Sequence, residues 1–357
     1  MAKKLRVGII FGGKSGEHEV SCVSASYVIN AIDKTKFTVK TIGITKQGEW
    51  LLYKGPVSAI ADGSWENKAR EDLKKDPAHF AFQIIGAGGK DLRSIIDFAL
   101  PILHGPNGED GTVQGLLELI NIPYGGCGVV GCASTMDKIV AKEIFADAGL
   151  KQTPYVAFTK SEIGPAVIRK INRELRYPLF IKPANMGSSV GITKVSKKAD
   201  LLEAIEFAAR YDDRIVAEQG VDCRELETAV MGNDELFTGA VGEIFAGAEF
   251  YDYDAKYNST ESKTVIPAKL TKAQEKQITE MAKTAYKACG CCGFSRIDFM
   301  MDKKSGEIFI NEINAIPGFT SISMFPKLCM AKGMTYPEII ERIIELGYER
   351  YTAKNNR

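Results

Sequence analysis

The stretch GFSRIDFMMDKKSGEIFINEINAIPG, from Gly293 to Gly318, decides how this chain is read. Two apolar runs, 294–301 and 307–313, flank the polar turn Asp302-Lys303-Lys304-Ser305-Gly306, a pattern that predicts a β-hairpin. Charge sits where a strand pair ordinarily carries none: Arg296 and Asp298 in the first run, Glu312 in the second, with Asn314 just beyond. Residues two apart share one face of a strand, so Arg296 and Asp298 point the same way. Antiparallel pairing through the turn can bring Glu312 and Asn314 alongside them. Such a set offers oxygen ligands with an arginine at its rim. It suits Mg²⁺ ions that keep phosphate oxygens and water as their remaining ligands. A solvated hairpin with salt bridges is the alternative. Against it, Ile297, Phe299, Ile308, Ile310 and Ile313 imply burial, and buried carboxylates need partners.

Outward from the hairpin, a length of 357 residues suggests two or three domains. A net charge of +1 and no long basic run give no signal for nucleic acid or an acidic membrane surface. The start, MAKKLRVGIIFGG, has two lysines before apolar residues, as a leader would, but the run breaks at Gly12-Gly13 and reads as a first strand. No apolar run approaches the ~20 residues of a spanning helix, so the expectation is a cytoplasmic protein with no membrane partner. Eight cysteines include CGCC at 289–292. The histidines His18, His79 and His104 are not spaced as a second ligand pair for zinc. Reduced core thiols are therefore expected.

The first third alternates strand and helix signals: strands at 6–11, 37–44 and 95–101, helices at 17–32 and 112–120. This predicts an α/β fold with a parallel sheet, passing to α+β in the C-terminal part. Residues 53–92 read as an irregular insertion. Ser134 with Asp137 resembles a capping box opening a helix to about 147. A smaller unit follows, with strands near 155–159, 179–182 and 191–195. The last third has strands near 214–218, 225–231 and 236–241, the hairpin, and helices near 272–289 and 336–346. The tail from 351 is polar and expected to fray.

Two nucleotide fingerprints match by letter and mislead by context. Gly8 to Ser15 satisfies GxxxxGKS, yet Ile9, Ile10 and Phe11 continue a strand where a phosphate loop needs free backbone. Gly126, Gly128 and Gly131 fit GxGxxG with no strand leading in. A better phosphate loop is IKPANMGSSVGITKV, 181–195: Lys182 closes an apolar strand and Gly187-Ser188-Ser189 make a small turn rich in N–H groups. An ordinary glycine-rich hairpin remains open there. Lys138 could add a second cation.

In this order along the chain stand FGGKSGEHEVS (11–21), LHGPNGEDGTVQG (103–115), MDK (136–138), FIKPANMGSSVGITKV (180–195), FYDYDAKY (250–257), GFSRIDF (293–299) and NEINAIPGFTSISMFPKL (311–328). As a set they resemble the ATP-grasp superfamily and, within it, the D-alanine–D-alanine ligases, over nearly the whole chain. The resemblance implies a three-domain ATP-grasp fold: an N-terminal Rossmann-like unit (1–125), a central small unit (126–216) and a C-terminal unit (217–357) with a lid at 249–267. It implies two D-alanine substrates, ATP, two Mg²⁺ (or Mn²⁺) ions and a homodimer.

Roles follow position by position. Lys138 and Lys182 would hold ATP phosphates, Glu218 the adenine amino group beside backbone of Gln219 and Val221, and Glu225 the ribose. Asp298, Glu312 and Asn314 would bind the metal ions. Arg296 and the N–H of Gly318 would stabilise a tetrahedral oxyanion. Glu17, with His104 nearby, would receive the first ammonium. Ser188 and Tyr257 would join Glu17 in a hydrogen-bonded set. Lys256 would reach the transferred phosphate, and Ser323 would hold the second carboxylate. Met186 and Ile322 depart from the commoner glutamate and histidine of relatives. Lys256-Tyr257 implies an amine acceptor rather than D-lactate, and apolar Met324 after Ser323 implies D-alanine over D-serine. A nucleotide-sensing protein without catalysis is the alternative of another class.

Overall fold

A computed structural model describes residues 4–84, 91–245 and 263–356. Lys256, Tyr257 and the lid positions 249–262 lie outside the described residues. The chain opens with β1 (Leu5–Gly12), α1 (His18–Ala31), β2 (Phe37–Ile44) and β3 (Trp50–Tyr53). Helices α2 (Val57–Ala61), α3 (Trp65–Lys75), α4 (Pro77–Phe80) and α5 (Leu92–Ile95) precede β4 (Phe98–Pro101) and α6 (Thr112–Leu119). The sheet runs β3-β2-β1-β4, with β1 parallel to both neighbours and β3 antiparallel at the edge. β1 buries both faces, Val7, Ile9 and Phe11 on one apolar cluster and Ile10 on another, as a central parallel strand must. Gly8 lies inside it, paired with Lys40 and Ala99, so the GxxxxGKS match is strand.

The stretch expected to be an irregular insertion carries helices α2 to α4 instead. Its anchor is Trp65, fully buried and edge-on to Phe11 at 5.0 Å, in space that Gly43 leaves open. With Ile60, Trp65 and Ala69 buried in an otherwise polar run, the apolar positions are too sparse to read as a period.

Helices α7 (Val129–Met136) and α8 (Lys138–Asp147) come next, followed by β5 (Tyr155–Thr159), α9 (Pro165–Glu174), β6 (Leu179–Pro183), β7 (Thr193–Val195), α10 (Leu201–Ala208) and β8 (Arg214–Gln219). The four strands form an antiparallel sheet, β5-β8-β6-β7. β8 thus crosses residue 216, where the sequence set a border. Asp137, not Ser134, caps α8, accepting from the N–H groups of Ile139 (2.9 Å) and Val140 (3.1 Å). Ser134 sits within α7 and donates to the Cys289 carbonyl at 2.8 Å.

The last unit contains β9 (Cys223–Gly232), β10 (Leu236–Phe245), β11 (Lys263–Val265), α12 (Lys272–Ala288), β12 (Gly293–Asp302), β13 (Ile308–Asn314), α13 (Met324–Met330) and α14 (Tyr336–Asn355). Its sheet is antiparallel, β11-β10-β9-β12-β13. Thr271 with Gln274 and Thr335 with Glu338 form capping boxes that start α12 and α14. α14 continues through the tail expected to fray. Arg350 donates to the Tyr124 carbonyl at 3.0 Å and Lys354 pairs with Glu118, tying this last helix to the N-terminal unit. Cys127, Cys132, Cys289 and Cys291 pack in the apolar cluster between α7, α12 and β12.

Candidate active site

The hairpin provides the floor. Its register sets Arg296 opposite Asn314 and Asp298 opposite Glu312, while β9 sets Glu227 opposite Asp298. Arg296 donates through Nε and Nη2 to the two oxygens of Asp298, both at 2.7 Å, a bidentate fork. Its Nε also lies 3.0 Å from Glu227 Oε2. Burial works against the guanidinium charge, but Asp298 and Glu227 outweigh it and keep Arg296 protonated. Asn314 Nδ2 donates to Asp298 at 3.0 Å. Asp298, Glu312 and Asn314 therefore sit side by side on one face, two carboxylates and an amide of the kind that supply oxygen donors to a hard divalent ion, with both Asp298 oxygens held by the Arg296 fork. Glu227 was missed from the sequence. Its signal was there: Glu225 and Glu227 flank buried Leu226 with the same two-residue period as Arg296 and Asp298.

Over this floor hangs the β6–β7 connection. Lys182 lies on β6, and Lys138, first residue of α8, donates to the Met186 carbonyl at 2.6 Å. Ser188 and Ser189 adopt left-handed backbone, φ 48° and 61°. That conformation costs a residue with a side chain about 1–2 kcal/mol. A compensating contact is the Ser188 hydroxyl, which donates to Glu17 Oε1. Against burial, Glu218 and then Glu312 raise the Lys182 ammonium, so the hairpin carboxylates and the phosphate-loop lysine share one field.

Glu218 on β8 is enclosed. Lys142 Nζ donates to its Oε1 at 2.5 Å, Lys182 Nζ to its Oε2 at 2.6 Å, and the Thr153 hydroxyl to Oε1. Burial would push this carboxyl up, but the two ammonium groups outweigh it and hold it well below the usual carboxylate range. Both oxygens are thus engaged in protein contacts, where the resemblance implied an adenine amino group. Lys142, buried on α8, was not singled out from the sequence because a helix lysine carries no signal of burial. Glu218 contributes stability that is fully present above the ordinary carboxylate pKa and is lost as pH falls through its lowered folded value. Lys142→Met leaves the carboxylate with one counter-charge. It should cost roughly 3 kcal/mol near neutral pH and bring acid unfolding to higher pH. Melting temperatures from neutral to acid pH check this, and a variant that melts like the parent throughout would contradict it.

Glu17, the residue before α1, is 8% exposed. Gly187 and Gly105 press against its carboxylate, where a Cβ would come within 2.7 and 2.6 Å of Oε2. His104 places Nδ1 3.1 Å from the Ile316 carbonyl and Nε2 3.3 Å from Ser24 Oγ, and burial pushes its imidazole down towards the neutral form. Glu109, also missed, accepts from Gly105 N–H (2.7 Å) and Ile316 N–H (3.3 Å). Burial and then the Glu17 charge push it up to about 8.

Ser323 precedes α13. Its hydroxyl accepts from Thr320 N–H at 2.9 Å and lies where a Cβ on Gly318 would be 2.7 Å away. Met324 does not carry the acceptor argument made for it: it packs in the core, with its methyl against Gly242. Gln219 ends β8, its side chain accepting from Arg176 N–H at 2.9 Å; Val221 lies between β8 and β9, and Glu225 on β9.

The family description "D-ala D-ala ligase N-terminus" matches residues 6–127 and "D-ala D-ala ligase C-terminus" residues 144–345. The D-alanine–D-alanine ligase of Acetivibrio thermocellus is 47% identical, over 98% of each chain. That of Ruminiclostridium cellulolyticum is 48% identical, over 98% of this chain and 97% of its own. Among solved structures, the VanG D-Ala:D-Ser ligase from Enterococcus faecalis superposes with a TM-score of 0.84 at 39% identity, over 97% of this chain and all of that one. The D-alanine-D-alanine ligase from Coxiella burnetii does so with 0.85 at 31%, over 99% and 97%. With both halves of the family matched in order and the hairpin, lysine and glutamate sets in place, this chain belongs to the D-alanine–D-alanine ligase family.

Proposed function

We propose that the chain joins two D-alanine molecules into D-alanyl-D-alanine, with ATP passing to ADP and phosphate, for peptidoglycan precursors in the cytoplasm. A carboxylate oxygen of the first D-alanine attacks the γ-phosphorus and the bond to ADP breaks. The amine of the second D-alanine then attacks the acyl carbon, and phosphate leaves with the former carboxylate oxygen. Glu17, which accepts from the Ser188 hydroxyl and which Tyr257 would join, receives the first ammonium. Lys138, Lys182 and Lys256 meet the phosphates. Arg296 and the Gly318 N–H point donors at the oxyanion, and Ser323 binds the second carboxylate. Glu218, whose Oε2 has one donor, Lys182, and can accept a second from an adenine amino group, would form the nucleoside end with the backbone of Gln219 and Val221 and with Glu225. Asp298, Glu312 and Asn314 would hold two Mg²⁺ or Mn²⁺ ions, which when bound neutralise charge on the phosphates. The observation that carries the reading is the pairing of Asp298 with Glu312 on one face, beside the Arg296 fork. The division into three units and the homodimer rest on family resemblance, and extending the second unit to Gln219 rests on the place of β8 in the small sheet.

A second reading has a specific basis, because a relative 39% identical, VanG of Enterococcus faecalis, is a D-Ala:D-Ser ligase. A pocket shaped for methyl rejects an added hydroxyl by only about 10²-fold. With D-alanine, D-serine and D-lactate supplied together at equal concentration, mass spectrometry should find D-alanyl-D-alanine dominant. A majority of D-alanyl-D-serine would establish the second reading, and a majority of the D-lactate ester would defeat both.

A further inference from the structure

We propose that Ser24, His104 and Glu109 form a hydrogen-bonded buckle that fixes the backbone on both sides of Gly318. In it His104 serves as a neutral imidazole protonated at Nδ1, not as a partner of the substrate ammonium. The proposal rests on the reading of the Gly318 N–H as an oxyanion donor.

The chemistry of each partner fixes the direction of every bond. The Ile316 carbonyl can only accept, so the His104 Nδ1 that lies 3.1 Å from it carries the hydrogen. A neutral ring then leaves a lone pair on Nε2, which accepts from the Ser24 hydroxyl at 3.3 Å. With its own hydrogen committed, Ser24 Oγ accepts from Phe319 N–H at 3.4 Å. The ring closes from Phe319 through Ser24 and His104 back to Ile316. Glu109 completes the grip by accepting from Ile316 N–H and, with its other oxygen, from Gly105 N–H beside His104. The opposite tautomer would set a nitrogen lone pair against the Ile316 carbonyl oxygen. A charged ring would donate to Ser24 from Nε2 and displace its hydroxyl hydrogen. Water cannot readily repair either fault, since Ser24 and Phe319 are fully buried and Ile316 and His104 nearly so.

Gly318 is therefore held at both ends, two residues before at Ile316 and one after at Phe319. Ser24 comes from α1, and His104 and Glu109 from the loop after β4, so the N-terminal unit aims a donor that the C-terminal unit carries. These are positioning residues: they act on substrate through Gly318. A displacement of about 1 Å in such a donor can cost 10²-fold in rate.

The test pairs a measurement on the unaltered protein with kinetics of variants. Nitrogen-15 spectra of histidine-labelled, full-length protein should show His104 neutral and protonated at Nδ1 at neutral pH, its signal identified by elimination with His18→Asn and His79→Asn. An Nε2-protonated or charged ring would overturn the proposal, whatever the variants do. Ser24→Ala should lower kcat about 10- to 100-fold with KM for ATP and D-alanine within about twofold. Glu109→Gln, which keeps one acceptor oxygen, should lose less than Glu109→Ala. Folded variants with parental kcat, or with only KM raised, would overturn it. If the unaltered protein makes no D-alanyl-D-alanine, the functional reading fails, and the spectra still decide the tautomer separately.

Discussion

Glu312→Gln should yield a folded protein that releases phosphate roughly a thousandfold more slowly than the parent, a loss of about 4 kcal/mol in the transition state. The substitution keeps size and strand register and removes only charge. Glu312 stands opposite Asp298, whose neighbour on the other side is Glu227, so three carboxylates line up across three adjacent strands. Relieving one of them should leave melting temperature unchanged or slightly higher. Under the proposed function the loss falls on turnover, because the set that would face the transferring phosphoryl group loses an anionic oxygen where divalent ions would be held. Coupled phosphate release and a melting curve check both halves, and the Mg²⁺ concentration needed for residual activity should rise. Parental release from a folded variant would remove Glu312 from the site.

Arg296→Lys is the second large effect. The guanidinium meets both oxygens of Asp298 and also Glu227, and no ammonium can span three acceptors in that plane. Charge is retained, so the fold should survive with modest destabilisation. The lost fork should lower kcat by about 10²–10³, the usual effect of removing one oxyanion donor. KM for ATP should change much less, because the contact proposed between Arg296 and the oxyanion would strengthen as the tetrahedral adduct forms. Steady-state kinetics with ATP varied separate the outcomes, and a variant with only a raised ATP KM would make Arg296 a binding residue.

Much of this site was legible because local periodicity encodes it. Arg296 and Asp298 share a face by strand geometry alone; the turn at 302–306 starts the pairing, and a bulge between Asp298 and Phe299, which the sequence does not announce, sets Glu312 and Asn314 opposite them in place of Asn311 and Ile313. The strands Phe37–Ile44 and Tyr155–Thr159 were likewise bounded by their own apolar runs. What escaped depends on distant partners. β8 reads as just another strand, and only its pairing with both β5 and β6 puts it inside the small sheet. Glu109 looks like a loop charge until its carboxylate reaches Ile316, 207 positions away in sequence. Lys142 resembles any helix lysine until Glu218 meets it in the interior. Met324 follows the anchoring serine in sequence, yet the turn into α13 sends it to the core.

In the proposed function an acylphosphate would join the lysines, the hairpin carboxylates and the Arg296 fork into one reaction, and an oxygen label follows it directly. D-alanine carrying oxygen-18 in its carboxylate should transfer one labelled oxygen into each inorganic phosphate released, with ADP unlabelled. Label appearing in AMP, or phosphate released without label while dipeptide forms, would contradict phosphoryl transfer to the first D-alanine.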